Sequence, residues 1–168
     1  MPLFTTLLAM PDRFQQLLDQ VPDDHLNWEP ANWAGIPSER FSALGHLCHL
    51  LDIETQGYQV RFVRTLTETL PELASLDGYQ LAQDNDYPQQ NPAVQLARFR
   101  AARSETVERL QALPASAWAR RARYGNYGEI TLDGLVRLLV SHDHQHLAGI
   151  QWLLMRLNAD RGLGLPLR

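Results

Sequence analysis

The segment Leu135-Val136-Arg137-Leu138-Leu139-Val140-Ser141-His142-Asp143-His144-Gln145-His146-Leu147-Ala148-Gly149-Ile150-Gln151-Trp152-Leu153 reads as one long helix with two histidines set into its apolar seam. Leu135, Leu139, His142, His146, Gly149 and Leu153 follow one another at steps of 4, 3, 4, 3 and 4 residues, the a/d repeat of a helix that faces a bundle core. His142 and His146 share that face, while His144 is turned away by roughly 200° at 100° per residue. Two imidazoles side by side in a core are unfavourable unless each finds a partner. A shared divalent ion satisfies both at once, and imidazole suits zinc, nickel, copper or iron.

Three other segments carry helical patterning. The first spans roughly residues 3–21, with Pro11 expected to interrupt it or open a second turn. The second runs from Ser38 or Ser42, either a plausible N-cap, to Leu70, with Pro71 as its stop. The third opens at Asn91-Pro92, a cap followed by proline at the first helical position, and ends before Pro114. The histidine helix begins at Thr131 and closes near Asn158. Loops at 22–37, 71–90 and 114–130 hold most of the prolines and turn formers, including Gly125-Asn126-Tyr127-Gly128, and no alternating run argues for a sheet. One all-α domain over residues 1–168, a four-helix bundle, is the simplest fold. Loops of this length often shape a pocket.

Composition excludes several classes. With 45% apolar and 20% charged residues the chain is neither disordered nor a membrane protein. Its longest apolar run, near Leu135–Val140, falls far short of the roughly 20 residues a spanning helix needs. The start lacks the basic region of a signal peptide, which makes the cytoplasm the expected location. The net charge is -4 and no broad basic face is evident, so nucleic acid is not an expected partner. Cys48, the single cysteine, reads as a small buried hydrophobe.

A second histidine window, Gly45-His46-Leu47-Cys48-His49, lies in the second helix and supplies a third ligand. Three histidines with an open position are how catalytic metal sites are built. Periodicity does not choose between His46 and His49, because Leu44, Leu47, Leu50, Leu51 and Ile53 make this helix apolar nearly all round.

Two stretches resemble the DinB superfamily, the group that includes YfiT-like metal-dependent hydrolases and thiol transferases. In Phe41-Ser42 through Glu54, an aromatic-Ser pair is followed by His49 seven residues after the serine and by Glu54 five residues later; His46 fits neither spacing. Gly128-Glu129-Ile130-Thr131-Leu132 and His142-Asp143-His144-Gln145-His146 resemble the family's helix start and its His-Asp-x-x-His ending. The order of elements, including Leu26-Asn27-Trp28-Glu29-Pro30, matches over nearly the whole chain. One position departs: Gly149 stands where the family often has glutamine, with Gln151 close by.

The resemblance implies a four-helix bundle holding zinc or nickel on His49, His142 and His146. It implies transfer of a low-molecular-weight thiol such as bacillithiol, mycothiol or glutathione, or hydrolysis, with a non-catalytic metal-containing binding or stress-response module as the alternative. An open fourth position favours catalysis, and a fourth protein ligand such as His46 or Asp52 favours a closed structural site. Asp143 and Glu54 are candidates for orienting ligand imidazoles, or are exposed helix carboxylates. Arg120, Arg121 and Arg123 could bind a carboxylate-bearing thiol, or form a solvated run. Tyr124 and Tyr127 line the same mouth or pack the loop. A homodimer is expected through helix faces carrying residues such as Trp152 and Met155.

Overall fold

The structure, a computed structural model, describes residues 2–162. Its elements in chain order are α1 (Pro2–Leu18), α2 (Ala43–Asp52), a π-helical turn (Ile53–Tyr58), α3 (Gln59–Thr67), β1 (Glu72–Leu73), α4 (Gly78–Asp84), α5 (Pro92–Gln111), β2 (Arg121–Tyr124), β3 (Glu129–Thr131) and α6 (Leu132–Gly162). Helix α2, the π turn and α3 run on as one helix, so four long helices form the bundle. Both α1 and α2 pack against α5 and α6, which sets α1 and α2 across the bundle from each other. Among the described residues, no helix is long and apolar enough to cross a membrane.

The caps follow from local chemistry. Ser42 Oγ accepts from Gly45 N at 3.1 Å and starts α2, and Asn91 Oδ1 accepts from Val94 N at 3.1 Å with Pro92 next in line. Thr131 Oγ1 accepts from Gly134 N at 3.1 Å at the start of α6.

Three features depart from the sequence reading. Helix α1 runs through Pro11 rather than breaking there. Proline leaves the carbonyl of residue 7 without its helical donor, and Arg103 Nη1 donates to Leu7 O at 3.3 Å in its place. The loop at 71–90 contains α4, capped by Asp77, whose carboxylate accepts from Tyr79 N and Gln80 N. A small sheet is also present: β1 pairs parallel with β2, and β2 antiparallel with β3 through the Gly125–Gly128 turn, where both glycines have positive φ. Strands of two to four residues are too short for alternation to register.

The core divides in two along the bundle. One cluster holds Met10, Phe14, Leu47, Phe99, Ile150 and Leu153; the other holds Leu7, Ile53, Val107, Leu132, Leu135 and Leu139. Arg103 on α5, and Asp143 and His146 on α6, fall between the two sets along their helices, while His46 and His49 on α2 and Glu54 just after it interleave with them; all are buried. Trp152 stacks on Trp33 with ring centres 6.0 Å apart, and Met155 is exposed.

Candidate metal centre

Histidines from two helices converge in this polar layer. His49 Nε2 lies 3.3 Å from His142 Nε2, and His142 Nε2 lies 3.2 Å from His146 Nε2. Glu39 Oε2, from the loop before α2, lies 3.3 Å from His146 Nε2. One donor atom from each of Glu39, His49, His142 and His146 falls within 4.8 Å of the others.

These donors fit a divalent ion. Ligand atoms around a four-coordinate zinc at about 2.05 Å stand about 3.3 Å apart, the separation seen here. A neutral imidazole has one N–H, so protons can serve one of the Nε2 contacts well and leave lone pairs opposed in the other; a shared cation serves all three nitrogens. Burial lowers the pKa of His49 to about 3 and of His142 to about 4, and holds that of His146 well below its ordinary value. The imidazoles are therefore neutral near pH 7, the form that ligates metal.

His46 is as buried as His49 and His146 but lies outside the Nε2 cluster. Its Nδ1 lies 2.8 Å from Nδ1 of His146, on the side of that ring away from the cluster. With Nε2 of His146 used as a ligand, its proton sits on Nδ1 and is donated to His46, which fixes both tautomer and ring plane. His46 then carries its own proton on Nε2, a buried atom with no partner. That ring fits only because residue 149 is glycine: a Cβ there would lie 2.7 Å from Cε1 and 2.8 Å from Nε2 of His46, and would also collide with Ser38 Oγ. Gly78 does the same for His49, since a Cβ at 78 would lie 2.6 Å from Cε1.

Glu54 and Asp143 are not exposed helix carboxylates. Arg103, on α5, is buried and donates to Asp143 at 2.6 and 3.0 Å and to Glu54 at 2.9 Å. Burial raises the Asp143 pKa against the pull of Arg103. The guanidinium stays charged, because the two carboxylates outweigh the burial that would discharge it. His144 is exposed, with Nδ1 2.7 Å from Val140 O. Asp52 accepts from Asn85 and Tyr87 at 2.8 and 2.7 Å, so it does not join the histidines. Cys48 is buried, and burial together with Asp52 pushes its thiol up to about 12, which makes it inert.

The three arginines expected at the mouth are engaged elsewhere. Arg120 donates to the carbonyls of Thr65 and Glu68 at 2.8 Å each, closing the end of α3. Arg121 pairs with Glu129, and Arg123 with Glu72 and Glu129. Tyr124 and Tyr127 stack on each other across the hairpin turn, ring centres 5.7 Å apart.

The sequence profile of the DinB superfamily matches residues 6–150. The chain belongs to the DinB superfamily. A solved DinB-like structure, from Bacillus subtilis and described as "YfiT from Bacillus subtilis is a probable metal-dependent hydrolase with an unusual four-helix bundle topology", superposes with a TM-score of 0.78 at 23% identity, covering 98% of this chain and 87% of that one. At that identity the likeness establishes the shared bundle of this DinB member. No curated protein matches it.

Proposed function

We propose that the protein is a cytoplasmic metal-dependent enzyme, a hydrolase or a thiol S-transferase, that holds zinc or nickel on His49, His142 and His146. The convergence of three neutral Nε2 atoms at 3.2 and 3.3 Å carries this reading. A divalent ion bound this way lowers the pKa of a coordinated water or thiol and supplies a nucleophile near neutral pH. Glu39 is the residue placed to take up the proton released. Its carboxylate stands beside the three nitrogens on a loop and is 41% exposed, so it can reach both the site and solvent. His46 keeps His146 in the tautomer that ligates, and the two apolar clusters exclude water from the buried side.

Glu39 also supports a second reading. As a fourth ligand it closes the coordination sphere and makes the protein a metal-containing binding module rather than an enzyme. Metal analysis of protein purified without a histidine tag, followed by a screen of ester and amide substrates and of thiol donors against electrophiles, tests the first reading. Glu39→Gln separates the two. Loss of turnover with metal retained supports a base, whereas loss of metal supports a fourth ligand. A native protein without stoichiometric metal overturns both.

A further inference from the structure

Tyr79 is a large ring left half in solvent, 48% exposed, yet it stands where the segments carrying Glu39 and His49 meet. Its place follows from the start of α4. The Asp77 carboxylate caps that helix by accepting from Tyr79 N at 3.0 Å and Gln80 N at 3.1 Å. Tyr79 therefore sits in the first turn, next to the glycine that packs on His49. From there its hydroxyl accepts from Arg40 N at 3.0 Å. Its ring centre lies 5.2 Å from that of Phe41, and the Phe41 ring lies 4.9 Å from that of His49.

Arg40 N belongs to the peptide unit that leaves Glu39. The other end of that unit, Glu39 O, accepts from Phe41 N at 3.1 Å and from Ser38 Oγ at 3.3 Å. Of these three hydrogen bonds only the one to Tyr79 ties the loop to another element. The Glu39 carboxylate has no comparable hold. With the His146 proton on Nδ1, Nε2 presents a lone pair, and a carboxylate oxygen 3.3 Å away gains nothing from it without a cation to share. In the metal-free chain, the place of Glu39 beside the histidines depends on its backbone.

We propose that Tyr79 is the positioning residue for Glu39: its hydroxyl, through Arg40 N–H, pins the loop that brings the Glu39 carboxylate to His49, His142 and His146. This rests on the three-histidine metal reading and deepens it, whether Glu39 serves as base or as fourth ligand. Tyr79→Phe removes the acceptor alone. The ring keeps its contact with Phe41, and a change at so exposed a position leaves the core untouched.

The test reads native protein and Tyr79→Phe with and without cobalt(II), a paramagnetic ion that displaces the NMR signals of nearby nuclei. In the metal-free variant, Arg40 N–H exchanges severalfold faster than in the native protein while the α2 amides keep their rates. In the cobalt form one of two changes follows. If Glu39 is a base, the displacement of its side-chain signals shrinks at least twofold at native cobalt affinity. If Glu39 is a ligand, the displacement stays and cobalt affinity falls at least threefold, a fall that vanishes when Tyr79→Phe is made together with Glu39→Gln. Tyr127→Phe, at another exposed tyrosine, alters neither rate nor affinity. An unchanged Arg40 rate, native displacement together with native affinity, or a fall in affinity that persists beside Glu39→Gln overturns the proposal and leaves the three-histidine site standing. Native protein that takes up no cobalt overturns the metal reading, and this one with it.

Discussion

Nδ1 of His46 stands 2.8 Å from Nδ1 of His146, so a histidine outside the Nε2 cluster holds the far side of one within it. Groups that hold a ligand imidazole in place are typically worth 10–100-fold in metal affinity. His46→Ala is expected to bind metal within that range more weakly and still bind it. His49→Ala, His142→Ala and His146→Ala each lose a ligand and fall by orders of magnitude. His144→Ala, exposed and bonded back to its own helix, is unchanged. Competition titration with a coloured chelator ranks the five; a His46→Ala loss as large as that of His49→Ala would show that the second-helix ligand is misassigned.

Gly78→Ala sets two effects against each other. Alanine in place of glycine narrows the unfolded chain's freedom, worth about 0.4–1 kcal/mol, but the new Cβ would press on the His49 ring at 2.6 Å. A buried ring has nowhere to yield except out of the cluster. The variant is expected to gain no stability and to bind metal at least tenfold more weakly. A more stable protein with native metal affinity would contradict the packing described.

Arg103→Met removes the cation that pairs with two buried carboxylates, Glu54 and Asp143. Breaking a buried ion pair by deleting one partner costs about 3–5 kcal/mol, and Leu7 O, left without its helical donor by Pro11, loses its replacement as well. Urea unfolding of the metal-free protein should show a loss of that order, partly restored by adding Asp143→Asn. A loss under about 1 kcal/mol would mean that the triad is not closed in solution.

Acid should destabilise the metal-free protein through its histidines. His46 and His49 titrate at about 3 and His142 at about 4 in the fold, each depressed first by burial, and near 6.5 in the unfolded chain. Below 6.5 the unfolded chain takes up protons that the folded one refuses. Stability is therefore full above pH 6.5 and declines as the pH falls towards 4 and then 3, by up to about 1.4 kcal/mol per pH unit for each such proton. Urea midpoints at pH 7.5, 6, 5 and 4 in the presence of a chelator read this directly; a flat profile between 7 and 5 would show that these rings are not buried.

The bundle and the His142–His146 pair were legible because a helix seam repeats, and a polar residue at a seam position stands out. His46 and His49 were not separable by helical period, since every residue from Ala43 to Leu51 is buried and no face is marked as outer; the Ser42-to-Glu54 spacing of the family resemblance singled out His49. The ring contacts distinguish them physically: Nε2 towards the cluster for His49, Nδ1 towards His146 for His46. Glu39 was missed because it lies in a loop without periodicity. Arg103 sits in a helix rich in arginine, where nothing local marks the one that turns inward to meet Glu54 and Asp143. The basic run at 120–123 looked like a binding surface because neither the strand pairing that brings Glu72 and Glu129 beside it nor the end of α3 that Arg120 closes has a signature in so short a stretch.

The π turn at Ile53–Tyr58, where Gln59 N reaches back to Glu54 O, sets the phase of one half of a long helix against the other. A π turn carries one residue more than an α turn. Losing it would rotate everything downstream by about 100°, taking Tyr58 off the His142 ring while His46 and His49, upstream, stayed in place. The end of the helix that carries His46 and His49 and the end that carries Tyr58 are thus geared through a single codon. A lineage carrying this fold can re-aim what approaches the histidine cluster by a one-residue change in length, without altering a histidine.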